Sequence, residues 1–556
     1  SLRWVRPLSS ILCLFDGRVV PFELEPGLAS GNLTRGHRFL APEPFEVANF
    51  ADYEAKLRRA FVLLRPQERE QVIRARALRL AEGAGLRLSP DPSLIAENAG
   101  MTEWPVPLIG SFDEAFMTLP REVLRSAMRA HQKYFALEDE NGTLSHHFIV
   151  VANLETKDGG RGVRAGNERV LRARLADAKF FWEQDRRKRL ADRVDVLGGI
   201  MFHARLGTLG RKVQRLRRLA PLIAKSVPGA DLKAVERAAL LCKADLTTEM
   251  VGEFPELQGV MGRYYALEAG ESPAIADALA EHYAPQGPND VCPTTPVSVA
   301  LALADKIDTL IGFFGVGEKP TGSKDPFALR RAALGVIRLL IENSVRLPLR
   351  PVFAATHAAY GDRLPQPDPE AGVKASDIEA VYDDLLAFFA ERLKVHLKEQ
   401  GVRHDLISAV FDPGEEDDLV RLLAKVAALD QFLKTDDGAN LLTAYRRGAN
   451  ILKIEEKRDK ASYDGVPDPR RFQQDEERGL FERLGAVDRA AARALEREEF
   501  EAAMAELAKL RPPVDAFFDR VTVNCENAEL RRNRLYLLSQ ARAALDAVAD
   551  FSKIEG

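Results

Sequence analysis

Up to about residue 155 the apolar positions fall in short runs, and from about Glu168 onward they recur every three or four residues. Short runs bounded by turn residues make strands, whereas a period near 3.6 makes amphipathic helices. Ile11 to Phe15, then Asp16-Gly17, then Val19 to Phe22 predict a hairpin of short strands. Phe148 to Asn153 predicts a buried strand, and residues 53–82 and 121–135 carry helical periodicity, so the first region is α+β. Residues 168–192 bring Val170, Leu171, Leu175, Ala178 and Phe181 to one side of a helix with arginines between them.

Prolines interrupt this helical pattern at residues 347–351 and 364–369, because proline lacks the backbone donor and clashes with the preceding turn. Residues 378–399 predict a helical connector, and residues 417–556 an all-helical last domain broken at Gly465-Val466-Pro467-Asp468-Pro469. The fold class is therefore multidomain and mainly α, divided at residues 1–195, 196–345, 346–416 and 417–556. A chain of 556 residues has room for several cores.

Charge changes the picture only locally. Lysine plus arginine number 79 against 83 acids, so any nucleic-acid surface must come from clustering. The cysteines Cys13, Cys242, Cys292 and Cys525 form no C-x-x-C pair and read as reduced thiols, and no apolar run approaches a membrane span. A soluble, cytoplasmic protein without a membrane partner is expected. The chain opens on Ser1 without Met and reads as a fragment of something longer.

No catalytic motif is evident, and no catalytic residue is assigned. The H-x-G-H and K-M-S-K-S signatures of a Rossmann-type adenylating site are absent, and neither an ATP-phosphate-binding arginine nor a second arginine in a glycine-rich strand can be recognised. Gly317 to Lys324 resembles a P-loop, but its lysine and hydroxyl are exchanged and Pro320 removes a phosphate-cradling donor, so it reads as a loop. His203, the segment Leu241 to Leu246 and the segment Ala304 to Asp308, with Asp305 as the late aspartate, fall in the order of an HD-type phosphohydrolase. Lys243-Ala244 stands where a His-Asp pair would sit, leaving Asp245 nearby, and an ammonium repels a divalent cation. The expectation is an HD-like fold with no metal bound. The alternatives are an active metal-dependent phosphohydrolase, or an ordinary His203 and a locally paired Asp305.

Two arginine-rich stretches stand out: Arg161, Arg164, Arg169, Arg172 and Arg174 around Asn167, then Arg205, Arg211, Lys212, Arg215, Arg217 and Arg218 with no acid between them. Such clusters suit a phosphate backbone. For the first stretch a solvated face paired with Glu168, Asp177, Glu183 and Asp185 explains the pattern equally well. In the last domain Tyr445, Arg446, Arg447, Asn450 and Lys453 combine a ring, guanidinium groups and an amide, which can stack on and hydrogen-bond unpaired bases. Arg531, Arg532 and Arg534 crowd the start of a helix, where the dipole disfavours positive charge; Glu526 and Glu529 could neutralise them as surface pairs.

Several strings resemble the beta subunit of heterotetrameric bacterial glycyl-tRNA synthetase. They are Leu2-Arg3-Trp4-Val5-Arg6-Pro7-Leu8, Thr34-Arg35-Gly36-His37-Arg38-Phe39, His131-Gln132-Lys133-Tyr134-Phe135, residues 166–178 and residues 243–259. The resemblance implies an amino-terminal region similar to the editing domain of the phenylalanyl-tRNA synthetase beta subunit, a metal-less HD-like domain and a carboxy-terminal anticodon-binding domain. It implies a partnership of two alpha and two beta subunits, with ATP, Mg and glycine handled by the alpha subunit, no cofactor in this chain, and tRNA(Gly) as the nucleic-acid partner. It also implies that residues are missing ahead of Leu2. Tyr445 to Lys453 and Arg531 to Arg534 then fall in the anticodon domain, and Arg161, Arg164, Asn167, Arg169, Arg172, Arg205, Arg211, Lys212 and Arg215 become candidates for the acceptor arm. The likeness alone does not predict whether the editing-like region edits, and a pure assembly scaffold is the remaining alternative.

Overall fold

The computed structural model describes residues 8–25, 27–366, 375–399, 401–411 and 416–555. The stretch Arg3 to Pro7 and the prolines Pro367 and Pro369 lie outside the described residues. The chain is mainly helical and divides into two compact units. The first runs to Arg189 and takes in Leu246–Tyr264; the second comprises Leu190–Asp245 and the chain from Tyr265 onward.

In the first unit the expected hairpin forms, Leu14–Phe15 pairing antiparallel with Arg18–Val19. Asp16 and Gly17 both take positive φ (48° and 74°), the backbone that matches the twist of a two-residue hairpin. The helical stretch at 53–82 is two helices, Phe50–Arg59 and Pro66–Gly83. Asn49 caps the first by accepting from the Asp52 N–H, and Pro66 opens the second, where a missing donor costs nothing. The helix expected at 121–135 is corrected: Arg121–Ser126 continues as a π turn, Ala127–His131, and Phe135–Glu138 is a strand. Period-two alternation wins there because it buries Phe135 and Leu137.

Four antiparallel strands lie in the order Arg87–Leu88, Phe135–Glu138, Leu144–Ala152, Val106–Ser111. Ile73, Ala77 and Ala81 of one helix and Leu94 and Ile95 of Pro92–Met101 pack on Phe135, Leu137 and Ile149 of this sheet. Each large apolar side chain so buried contributes about 1.5–3 kcal/mol. The helix Arg161–Asp185 begins earlier than the periodicity suggested and buries Leu171, Leu175, Ala178 and Trp182. Val170, expected on the apolar side, is 46% exposed. The buried Asp185 carboxylate accepts from the Glu249 and Met250 N–H groups (3.1 and 3.0 Å), capping the short helix Glu249–Glu253 where the chain re-enters this unit.

The second unit is built around Pro296–Gly315, whose residues from Val297 to Phe314 are almost all buried. Helices Leu209–Ala224, Leu232–Leu241, Pro273–Glu281, Leu329–Glu342 and Leu349–Tyr360 surround it. The connector helix forms at Ala375–Glu399. Helices Leu419–Leu433, Asp436–Asp459, Asp475–Glu496, Phe500–Ala508, Arg511–Arg520 and Ala528–Asp546 make the last helical portion, and the Gly465 to Pro469 break falls between two of them. Gly317 to Lys324 is irregular, with Lys319 paired to Asp384. Among the described residues no helix is long and apolar enough to cross a membrane.

Candidate nucleic-acid interface

Of the positions singled out for metal chemistry, Lys243 and Asp305 join a closed cluster of ion pairs. Asp305 places one carboxylate oxygen 3.0 Å from Lys212 Nζ and the other 3.0 Å from Lys243 Nζ. Lys243 also donates to His282 Nε2 at 2.8 Å, while His282 Nδ1 lies 2.9 Å from the Leu279 carbonyl. These partners fix the tautomer: Nδ1 carries the proton and the Nε2 lone pair is spent on an ammonium. Burial, reinforced by the charge of Lys243, holds His282 well below its ordinary range, so the ring is neutral. Burial alone would raise Asp305, but Lys212 and Lys243 outweigh it and hold the carboxyl well below the carboxylate range.

One turn on, Asp308 accepts from Lys212 Nζ (3.1 Å), Arg215 Nε (2.6 Å) and Arg215 Nη2 (3.0 Å), and the Tyr360 hydroxyl donates to its carbonyl (2.8 Å). Gly312 permits that approach, since a Cβ there would collide with the tyrosine hydroxyl. This geometry does not support the phosphohydrolase alternative, because the Lys243 ammonium bridges Asp305 and the His282 ring nitrogen. His203 is corrected as well. It ends the strand Met201–His203 among Phe313 and Phe327, with Nε2 3.4 Å from Glu318, and it is His282 that meets Lys243. Asp245 is buried, and its charge, after burial itself, helps push the Tyr283 hydroxyl well above its usual value.

Burial corrects the acceptor-arm reading of Lys212 and Arg215: they are 2% and 5% exposed and committed to Asp305 and Asp308. Arg205 donates to the Val316 carbonyl, whereas Arg211 stays exposed. On Arg161–Asp185 the side chains of Arg161, Arg164, Arg169 and Arg172 are exposed and make no ion pair among the described residues. Arg174 pairs with Glu253, and half-buried Asn167 accepts from the Tyr134 hydroxyl at 2.6 Å, tying the helix to the sheet.

The last helical portion sorts the other candidates. The Tyr445 ring is in the core against Phe551 and its hydroxyl donates to Asp546 (2.9 Å), so it has no face for a base. Arg446 donates to the Ile554 carbonyl. Arg531 is bound by Glu455 and Asp459, and buried Arg534 by Glu477 (2.8 Å), which makes both structural ties. Arg532 is exposed without an ion pair among the described residues. Arg447, stacked 4.5 Å over Phe518, lines up with exposed Asn450, Lys453 and Lys457 along one face of Asp436–Asp459. Sequence reasoning missed Lys457, His282 and Tyr360, and it named Asp308 within Ala304 to Asp308 without its role as the partner of Lys212 and Arg215. A second acid three residues after Asp305 in a largely apolar helix was the available signal for that role.

A family model described as glycyl-tRNA synthetase beta subunit matches residues 1–412, and one described as DALR anticodon binding domain matches residues 441–555. The chain is 53% identical over 584 residues to the glycine–tRNA ligase beta subunit of Rhodospirillum centenum, spanning 100% of this chain and 80% of that relative. It is 50% identical over 567 residues to the protein of the same description from Phenylobacterium zucineum, spanning 100% of this chain and 79% of the relative. The same description applies to a relative from Paracoccus denitrificans, 50% identical over 563 residues.

Proposed function

Because the chain belongs to the glycyl-tRNA synthetase beta subunit family, we propose that it grips tRNA(Gly) while a partner alpha subunit, holding ATP and Mg, activates glycine and charges the tRNA. The observation that carries this reading is that Arg447, Lys453 and Lys457, on one face of Asp436–Asp459, are exposed and make no ion pair among the described residues, and lie within the residues matched as an anticodon-binding domain. Arg447, Lys453 and Lys457 offer charge to phosphates there, and Asn450 offers an amide to a base edge. The exposed arginines Arg161, Arg164, Arg169 and Arg172 form a second contact, to the acceptor arm. Residues 1–195 are read as an editing-domain-like region with a basic helix and no assigned editing activity, and the helices around Pro296–Gly315 as an HD-like fold whose cation is supplied by lysines. The assembly is two alpha and two beta subunits in the cytoplasm.

The purified chain should bind tRNA(Gly) with an affinity that falls steeply as salt rises, and should form no glycyl adenylate. Adenylate formation by the lone chain would overturn the division of labour. Unchanged charging by the full complex after Arg447→Ala and Lys453→Ala would leave the chain an assembly scaffold.

A further inference from the structure

The second unit contains a cleft of about 730 Å³ beside the buried Asp308 cluster, with Arg211, Gln214, Arg215, Arg218, Tyr360 and Arg363 in its wall. Asp195 is the one carboxylate in that wall, against four guanidinium groups. Arg215 cannot swing, since Asp308 holds two of its nitrogens and its guanidinium lies 3.7 Å from the centre of the Tyr360 ring. Arg218 has no acidic partner among the described residues, and Arg211 has only Asp362 at 3.8 Å. The Nε of Arg363 is buried and makes no hydrogen bond among the described residues. Buried donors nearly always find an acceptor, and an oxygen of a ligand in the cleft would supply one. Gln214 accepts from Arg217 through its oxygen (3.3 Å), which leaves its NH₂ as a further donor. Thr208, the cap of Leu209–Ala224, also lines the cleft, so the positive end of a 16-residue helix opens into it.

We propose that this cleft binds a phosphate ester, with Arg211, Arg218 and Arg363 as its ligands and Arg215 as a fixed cationic wall. Fork-shaped guanidinium groups match phosphate oxygens in pairs, and the volume falls within the range of about 300–1,000 Å³ usual for small-ligand sites. A nucleotide fits that space, either free or as part of an RNA strand. The assignment is independent of the cationic face on Asp436–Asp459. Asp308 anchors Arg215 in that wall, and Lys212 links Asp308 to Asp305 behind it.

The test is calorimetric titration of the full chain with pyrophosphate, then displacement by ADP or by a short RNA hairpin. One saturable site per chain is expected, weakened about tenfold by Arg218→Ala or by Arg363→Ala, since a hydrogen bond to a charged group commonly carries that much. Arg447→Ala with Lys453→Ala should leave it unchanged, which separates failure here from failure of the anticodon reading. Displacement by the hairpin supports an RNA phosphate and displacement by ADP a free nucleotide. Absence of saturable binding, equal affinity in the folded Arg218→Ala and Arg363→Ala chains, or pyrophosphate that neither competitor displaces overturns the assignment.

Discussion

At the scale of single residues, the informative exchange is a lysine where a metal-binding pair would stand. Lys243 satisfies Asp305 and the His282 lone pair together, so it meets both demands a metal would otherwise meet. The consequence is a pH dependence with a definite sign. Lys243, Asp305 and Lys306 face His282, and its folded pKa lies well below the ordinary 6.5. Above that value the ring is neutral in both states and linkage contributes nothing. Below it the unfolded chain takes a proton that the native ring refuses, so stability falls by up to about 1.4 kcal/mol per pH unit until the folded pKa is reached. Asp305 acts in a lower window: its carboxylate stays charged in the native state, and its contribution is lost only below the ordinary 3.8. Urea unfolding at about pH 7.5 and about pH 5.5 checks the first window, since His282→Gln should lose less stability between them than the native chain. An equal loss in both chains would mean that His282 is protonated when folded.

At the scale of elements, much was legible because the information was local. Asp16-Gly17 set the hairpin, the run Phe148 to Ala152 its strand, and the prolines at 465–469 their break. What failed depended on partners distant in sequence. Lys212 and Arg215 read as free cations because no acid lies near them in the chain; Asp305 and Asp308 stand about ninety residues away. Tyr445 read as a stacking ring because its core neighbours Asp546 and Phe551 come from the chain's end. Arg534 shows the same error with an energetic consequence. It ties Ala528–Asp546 to Glu477, which in turn accepts from the Gln473 and Gln474 N–H groups at the start of Asp475–Glu496. Removing one partner of a buried pair strands the other charge, so Arg534→Met should cost about 3 kcal/mol, while exposed Arg532→Ala stays within about 0.5 kcal/mol. Chemical unfolding of the two variants measures the difference, and equal midpoints would show that Glu477 finds water instead.

At the scale of the whole molecule, a net charge of −4 means that the overall field does not draw RNA in. Binding must then come from the exposed clusters, and each cation that neutralises a phosphate releases its own counterions. The slope of log affinity against log salt therefore counts such cations and sorts them from the structural ones. Arg161→Ala with Arg164→Ala should reduce that slope by about two, and Arg447→Ala with Lys453→Ala by about two more, because separate phosphate contacts add. Arg531→Ala is the internal control: its guanidinium is already neutralised by Glu455 and Asp459, so its loss leaves those carboxylates uncompensated without removing a phosphate contact. It should lower affinity or stability with little change in slope. Filter binding of tRNA(Gly) over a salt series reads all three, and a slope that drops for Arg531→Ala but not for Arg447→Ala with Lys453→Ala would move the anticodon contact from the face of Asp436–Asp459 to the start of Ala528–Asp546.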